Sequence, residues 1–410
     1  MNNDDIAMNI EAFLNATEEH LTHECCIYKV PFELLKMNED AYTPKVVSIG
    51  PFHHSADPCL LSMESHKQIY CKAFLRRNQT SLNAWIRYIR DKEYSIRGCY
   101  SHTLQCSSSK LVEIIVVDSG FIFELFLRYY SVYTSIVRQP WWSDNIRFDL
   151  LLLENQLPFD ILVDLFNLSF NTGAVGGNNS IPSFIQLTFY YFSAHNASGL
   201  NFGDIINIRH FTDLIRVFYL QHFPQRRPRT SNELSLVMHC PTVTELSESG
   251  IRFKASKSPC LLNLEFSRGV LEIPVLVLGE ANKVLFHNIV ALERCHYPSE
   301  PYFTDYVTFM HFLVNTNKDV DELVRRRVLV NWVGDNVLNM FNSLGGNNII
   351  VFNQHYFHLA TDLNIFHDNP RNRFVANLRR WKGALSIGAI VLLILTVIQT
   401  VCSVMQVLPN

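Results

Sequence analysis

The sequence predicts an α+β fold that is predominantly helical, with a small β-hairpin region in the C-terminal half and one C-terminal transmembrane helix. Three patterns predict it: helical spacing of apolar residues over residues 57–166, alternation over residues 262–277, and a charge-free apolar stretch from residue 384 onward. With 48% hydrophobic and 18% charged residues, the 410-residue chain has enough apolar side chains to form a sizeable core.

The first long helices are predicted from their capping residues. Asp57 is a candidate N-cap, because Pro58 follows it and proline is favoured at the first helical position. Ser81 is a second candidate N-cap, ahead of apolar residues that recur on one helical face. Two consecutive helices are therefore expected after residue 57.

A central buried helix is predicted over residues 111–130, which are apolar on almost every side. Residues 149–166 resemble two helical pieces parted at Pro158, because proline disfavours helical backbone in the residue before it. Residues 171–180 are rich in glycine and asparagine and predict a loop, and residues 221–232 predict a second weak segment.

The C-terminal half begins with a predicted β-hairpin. Apolar and polar residues alternate over residues 262–266 and again over residues 271–277, and residues 267–269 offer a tight turn between them. Helical spacing resumes from Lys283 and again from Asp319. No internal repeat is visible, so a solenoid is disfavoured.

The last residues predict a membrane-spanning helix over residues 384–407. No charged side chain occurs in this stretch, and its 24 residues at about 1.5 Å each can cross a hydrocarbon core of about 30 Å with some tilt. Basic and aromatic residues suited to a membrane flank precede it, namely Arg379, Arg380, Trp381 and Lys382. The positive-inside rule then predicts a cytosolic body for this single-pass, tail-anchored protein. The plasma membrane is the preferred location, with an endomembrane as the alternative.

The predicted organisation has five parts. These are an N-terminal extension (1–26), a globular helix-rich body (27–345), a juxtamembrane segment (346–383), the transmembrane helix (384–407) and a tail (408–410). The lipid bilayer is the predicted partner of residues 384–407. A formal net charge of −3 argues against a nucleic-acid partner, whose phosphates would require concentrated lysine and arginine.

Ten cysteines are spread singly through the chain, apart from the adjacent Cys25 and Cys26, and none forms a C-x-x-C pair. This pattern is typical of small apolar core residues in a reducing compartment and disfavours a shared metal. The acidic N-terminus lacks the basic start and apolar run of a signal peptide.

Histidines near residue 53 are the first candidates for chemistry. His53 and His54, together with Glu64 and His66, could supply metal ligands. Adjacent histidines point apart in most backbones, however, and no ligand pair has the i, i+4 spacing of a zinc protease. Ordinary polar contacts of a loop are therefore the preferred interpretation, and no metal site is predicted.

Acidic residues within apolar segments are the second set of candidates. Asp118 falls on the apolar face of the predicted central helix, where a buried carboxylate is more often a paired core group than a general acid or base. Glu154, Asn155 and Gln156 form a polar island between leucines, and hydrogen bonding to backbone freed at the Pro158 break is their expected role. No nucleotide-binding, hydrolase, zinc-protease or kinase motif occurs, so no catalytic or cofactor-binding residue is predicted.

Several ordered motifs carry a resemblance to a known family. They are IYKVP (27–31), AYTPKVVSIGPFHH (41–54), MESHK (63–67), DSGFIFELF (118–126), DLLLLENQLPF (149–159), TELSESGIRFK (244–254), LEFSRGVLEIP (264–274), LFHNIVALERCH (285–296), VNTNKDVDELVRRRVLVNWVG (314–334) and ILTVIQTVCSV (394–404). Together they resemble the plant family known as domain of unknown function 247, also called uncharacterised protein family 0481. The family's usual juxtamembrane helices are not recognisable after Gly345.

The resemblance implies little chemistry, because no catalytic residues are established for the family. Some members encoded at grass self-incompatibility loci are associated with pollen-side recognition of self through small secreted partners. The expected function is therefore a membrane-tethered recognition or signalling component without evident catalytic activity. The alternatives are an enzyme that uses acidic or histidine residues from residues 41–67 and 118–160, and a structural membrane-associated scaffold.

Overall fold

The computed structural model describes residues 24–54, 58–78, 81–133, 143–170, 181–204, 207–223, 235–236, 240–345, 351–384 and 387–407. In the described part of the N-terminal half the regular elements are α-helices and short 3₁₀ turns. The α-helices are α1 (Phe32–Met37), α2 (Pro58–Arg77), α3 (Leu82–Asp91), α4 (Glu93–Gly98), α5 (Ser108–Tyr133), α6 (Ser143–Asp149), α7 (Phe159–Phe170), α8 (Phe184–Tyr191) and α9 (Phe211–Leu220).

Strands and helices mix in the C-terminal half. Its elements are β1 (Ser235–Leu236), α10 (Val243–Glu248), β2 (Arg252–Ser256), β3 (Glu265–Ser267), β4 (Val270–Pro274), β5 (Leu276–Leu278), α11 (Glu280–His296), α12 (Tyr302–Leu313), α13 (Asn317–Arg325), β6 (Leu329–Asn331), α14 (Val337–Gly345), β7 (Val351–Phe352), α15 (Gln354–Asp368), α16 (Pro370–Ala384) and α17 (Ile387–Val407). The prediction of a mainly helical α+β body is confirmed.

Helix α5 is the predicted central helix, and it packs along α2. Phe121, Phe123 and Phe126 on α5 are completely buried. The absence of a side chain at Gly120 permits the close approach of the two helices, because a Cβ there would lie 2.4 Å from the Cys71 sulfur on α2. Ser81 caps α3 as predicted, its hydroxyl accepting from the Ala84 N–H. The Asp57 cap lies outside the described residues.

The region before Pro158 differs from its prediction. α6 ends at Asp149, residues 150–158 form turns, and only the second predicted piece is a helix, as α7. The first piece is not helical because its polar side chains bond the backbone of this turn segment itself: Gln156 Nε2 donates to the carbonyls of Leu150 and Leu152. The predicted loop over residues 171–180 lies outside the described residues, and so does most of the weak segment predicted over residues 221–232, of which 221–223 are described.

The predicted hairpin is present as β3 and β4, whose antiparallel register pairs Ser267 with Val270 across a two-residue turn. β4 also pairs in parallel with β2, which the sequence did not predict. The alternating run does not continue as one strand beyond Pro274, because β5 leaves this sheet and pairs in parallel with β6. β1 pairs with β7 in a third small sheet.

Helices follow residue 345, although none was recognisable from the family pattern. On α15, Tyr356 is completely buried, and its hydroxyl donates to the Leu262 carbonyl in the body. On α16, Ala376 lies against Gly250, whose φ of +100° suits glycine. Residues 351–376 therefore pack onto the body. The five-part domain division itself stays a prediction.

The prediction of a transmembrane helix over residues 384–407 is wrong. No helix within the described part of the chain is both long and apolar enough to cross a membrane. The predicted single-pass, tail-anchored topology and the cytosolic body at the plasma membrane or an endomembrane depended on this span and fall with it.

The predicted membrane flank stays a prediction. Arg379, Arg380, Trp381 and Lys382 lie on α16, and their side chains are outside the described ones. The bilayer contact predicted for residues 384–407 has no spanning helix to support it.

Candidate functional site

The segment Lys45–Gly50, which we call the strap, crosses the body without helix or strand structure. Its backbone is held by side chains. The Asp149 carboxylate accepts from the N–H groups of Lys45, Val46 and Val47 at 3.0, 2.7 and 2.8 Å. Burial raises the pKa of Asp149 to about 6, although these three N–H groups oppose the rise.

Asn155 holds the middle of the strap. Its side-chain oxygen accepts from the Ile49 N–H at 2.7 Å, and its side-chain nitrogen donates to the carbonyls of Val47 and Asp149. Asn155 and Gln156 are completely buried. Their predicted role, hydrogen bonding to nearby backbone, is confirmed, but the backbone extends to the strap as well as the turn before Pro158.

Asp118 anchors the end of the strap. Its carboxylate accepts from the Gly50 N–H at 2.8 Å and from Lys67 Nζ at 2.6 Å. Lys67 is completely buried and also donates to the Ser48 carbonyl. Burial alone would lower the pKa of Lys67, but the Asp118 carboxylate raises it above its ordinary value. Asp118 is therefore the paired core group that the sequence favoured.

Gly50 itself is required where the strap turns. Its φ is +75°, and a Cβ would lie 2.4 Å from the Gln156 carbonyl oxygen. The Tyr100 hydroxyl donates to that same carbonyl, so the strap and the turn before Pro158 meet closely at this point.

Glu154 lies in the turn segment before Pro158, next to Asn155. Its carboxylate accepts from Lys29 Nζ at 2.6 Å and from the Val30 N–H at 2.7 Å, and it lies 3.2 Å from His53 Nε2. Burial alone would raise the pKa of Glu154, but His53, Lys29 and the Val30 N–H together lower it below its usual range. Glu154 is thus an ionised carboxylate with its charge matched by Lys29.

A cleft of about 340 Å³ opens beside this network. We call it the strap cleft, and its lining includes Lys29, Phe52, His54, His102 and Lys110. Lys29 Nζ lies 4.6 Å from the centre of the Phe52 ring. Burial and the nearby Lys110 lower the pKa of His54, so its imidazole is neutral at pH 7. His54 Nδ1 is buried and has no hydrogen-bond partner among the described residues.

The structure brings together part of the predicted candidate set. His53, His54 and Glu154 lie at or near the strap cleft, whereas Asp118 is sealed in the core. His66 is exposed on α2, and Glu64 pairs with Lys67 at 2.6 Å. Within the described residues, no group of three or more histidine, cysteine, aspartate or glutamate side chains could hold a metal ion.

Sequence reasoning missed Lys67, Asp149, Lys29 and Lys110. Lys67 could have been predicted from the sequence. It lies on the apolar face of a predicted helix, three residues after Glu64, and a buried lysine requires a carboxylate partner. Lys29 and Lys110 could not have been predicted, since they reach the strap cleft only through the packing of segments far apart in the chain.

Comparison with known proteins gives family relatives and no function. The DUF247 family model, described as plant protein of unknown function, matches residues 27–395. A UPF0481 protein of Arabidopsis thaliana is 29% identical over 343 residues, which cover 76% of this chain and 70% of that protein. A putative UPF0481 protein of the same plant is 31% identical over 161 residues, 38% of this chain and 30% of that protein. No solved structure matches the chain.

Proposed function

The chain belongs to the plant DUF247 family of unknown function, and from that premise we propose that it is a non-enzymatic recognition protein that binds a partner at the strap cleft. The acidic groups of the motif segments are already used inside the fold. Asp118 and Asp149 are 1% and 3% exposed and hold the strap, so neither can exchange a proton with a substrate.

The strap cleft offers binding groups in place of catalytic ones. Lys110 supplies positive charge, its ion pair with Glu113 at 3.1 Å being solvent-exposed, while the charge of Lys29 is already matched by Glu154. His54 supplies a neutral imidazole and Phe52 an aromatic face. A carboxylate is the complementary ligand, because it accepts charge-assisted hydrogen bonds from lysine. We therefore infer that the cleft takes an acidic side chain of a protein partner.

The family association supports a partner class. Some members are linked to pollen-side recognition of self through small secreted partners, so small secreted proteins with exposed acidic residues are the first class to test. In this proposal the chain is a component of a recognition or signalling event and performs no reaction.

A peptide-binding experiment tests the proposal. Two fluorescent pools of seven-residue peptides, one with a central glutamate and one with a central glutamine, are titrated against the full-length chain. We expect the glutamate pool to bind at least tenfold more tightly, and Lys110→Met to remove that difference. Lys72→Met, an exposed lysine of α2 that does not line the cleft, is the matched control. Equal binding of the two pools would refute the proposal.

The enzymatic alternative is supported by one contact, the 3.2 Å approach of His53 Nε2 to Glu154 Oε2 beside the cleft. A carboxylate that orients an imidazole is a common arrangement for a general base. This alternative predicts hydrolysis of a generic ester such as p-nitrophenyl acetate, with at least a tenfold lower rate in His53→Ala. The recognition proposal expects the same background rate for both proteins.

A further inference from the structure

A second cleft, of about 310 Å³, opens where two paired strands separate. The parallel β2–β4 ladder ends at the pair Ser256–Pro274. Beyond this pair the two chain segments are no longer paired with each other. Residues 257–259 continue from β2, β5 follows β4, and both segments line the cleft. We call this the edge cleft, because one side of it is the edge of β5.

The backbone of β5 has one paired side. The Leu276 N–H donates to the Val328 carbonyl at 2.9 Å, and the Leu278 carbonyl accepts from the Trp332 N–H at 2.8 Å. Residues 276 and 278 therefore face β6. Successive residues of a strand direct their backbone groups to opposite sides, so the N–H and C=O of Val277 point away from β6. Val277 itself lines the edge cleft.

The side chains of the same sheet leave an apolar face uncovered. Leu276 and Leu278 are 2% and 0% exposed, whereas Val275 and Val277 are 44% and 45% exposed. Val277 is paired with Val330 in the ladder. Trp332, two residues further along that chain segment and 76% exposed, extends the same face by strand alternation.

We propose that the β5 edge binds an extended segment of another protein by strand addition. The N–H and C=O of Val277 bond no described residue and match the backbone of an incoming strand, which is how exposed sheet edges recognise peptides. The exposed face of Val275, Val277 and Trp332 would be continued by apolar side chains at every second position of that strand.

Charge further specifies the partner. Lys257 lines the edge cleft, is exposed, and forms no ion pair with a described residue. An acidic residue beside the apolar positions would lie near its ammonium group. The partner segment is thus an extended run of alternating apolar residues that contains an aspartate or glutamate. This site is separate from the strap cleft, and the inference does not rest on the proposed function.

The test uses the full-length chain and two pools of acetylated seven-residue peptides of identical composition. In one pool valine or isoleucine occupies positions two, four and six and glutamate position five; in the other the same residues are ordered without alternation. We expect the alternating pool to bind at least tenfold more tightly, and N-methylation of its alternate backbone amides to abolish binding. Amide hydrogen exchange of the segment that contains Val277 should slow at least tenfold in the complex.

Val277→Lys is the diagnostic variant, because a lysine at an exposed edge position blocks strand addition without burying a charge. It should lower the affinity for the alternating pool at least tenfold. Ile69→Lys, at a 60% exposed position on α2, is the matched control and should leave the affinity unchanged. Equal binding of both pools, or unchanged binding by Val277→Lys, would overturn the inference. So would a dimer of the chain that Val277→Lys dissociates, since the occupant would then be a second copy.

Discussion

Individual polar side chains take the place of a neighbouring strand along the strap. Five of its backbone N–H groups donate to the side chains of Asp149, Asn155 and Asp118. Buried N–H groups require partners, and an extended segment without a strand beside it has to find them in side chains. This requirement explains why polar residues interrupt the apolar run around residue 154.

The ion pair at the end of the strap yields the first stability prediction. Lys67→Met leaves the Asp118 carboxylate buried, with the Gly50 N–H as its remaining hydrogen-bond donor among the described residues. Removing one partner of a buried ion pair costs about 3–5 kcal/mol, because the remaining charge is uncompensated. We expect the free energy of unfolding to fall by that amount in guanidinium chloride titrations.

A second lysine of the same helix provides the control. Lys72 is exposed on α2, so Lys72→Met should change the free energy of unfolding by no more than about 0.5 kcal/mol. Equal denaturation midpoints for the Lys67→Met protein and the parent would show that the pair does not stabilise the strap.

At the scale of elements, the hairpin turn between β3 and β4 allows a matched pair of substitutions. Arg268 and Gly269 have φ values of +49° and +73°, the left-handed conformation that a two-residue hairpin turn requires. Arginine is strained there, whereas asparagine tolerates it, so Arg268→Asn should raise the free energy of unfolding by about 0.5–1 kcal/mol.

The neighbouring position should respond in the opposite direction. Gly269→Ala should lower the free energy of unfolding by about 1–2 kcal/mol, because its φ is unfavourable for alanine and its Cβ would lie 3.2 Å from the Phe366 ring. Thermal or denaturant unfolding of the two variants measures both changes. Two shifts of the same sign would contradict this description of the turn.

This hairpin, like the Ser81 cap and the central helix, was predictable because its information is local. Its alternation and its Arg268–Gly269 turn lie within about ten residues of sequence. The Ser81 cap needs only the residues that follow it. Such elements can be predicted from propensity and periodicity alone.

The rest depends on partners distant in sequence. Asp118 meets Lys67 across 51 positions, and Asn155 meets the strap across more than 100. The parallel pairing of β2 with β4 was not predicted, because the sequence of β2 contains no pattern of apolar and polar residues that identifies its partner strand. Residues 150–157 were predicted as helix because leucines dominate this stretch. The strap that their polar side chains bond lies about 100 residues earlier in the chain, so the local sequence does not indicate it.

At the scale of the whole molecule, buried imidazoles determine how the fold responds to acid. His210 and His287 are 0% and 1% exposed, and burial lowers the pKa of each to about 4 from an ordinary 6.5. His287 Nδ1 lies 2.7 Å from the Lys283 carbonyl, and its Nε2 lies 3.0 Å from the Ser343 hydroxyl. Between pH 6.5 and 4 the unfolded chain therefore binds protons that the folded chain excludes.

Asp149 acts in the opposite direction. Its pKa is about 6 in the folded protein and 3.8 ordinarily, so between these values the folded chain holds the proton more readily and acid stabilises it. This shift corresponds to about 3 kcal/mol, and each histidine to about the same. His210 and His287 together outweigh Asp149, so acidification should destabilise the protein. Further shifts act in both directions, because burial lowers the pKa of His195 to about 4 and raises the pKa of Asp118 and of Asp160.

We therefore expect the free energy of unfolding to fall by about 3–4 kcal/mol as the pH drops from 6.5 to 4, measured by urea titration at half-unit steps. His287→Gln removes one of the excluded protons and should flatten that fall to about 1 kcal/mol or less. The parent's stability would be constant or rising over the same range if these imidazoles were protonated in the folded state. A domain with a total stability of about 5–15 kcal/mol can lose much of it over this range, so the pH at which binding is assayed belongs above 6.5, where the two imidazoles are neutral in both states.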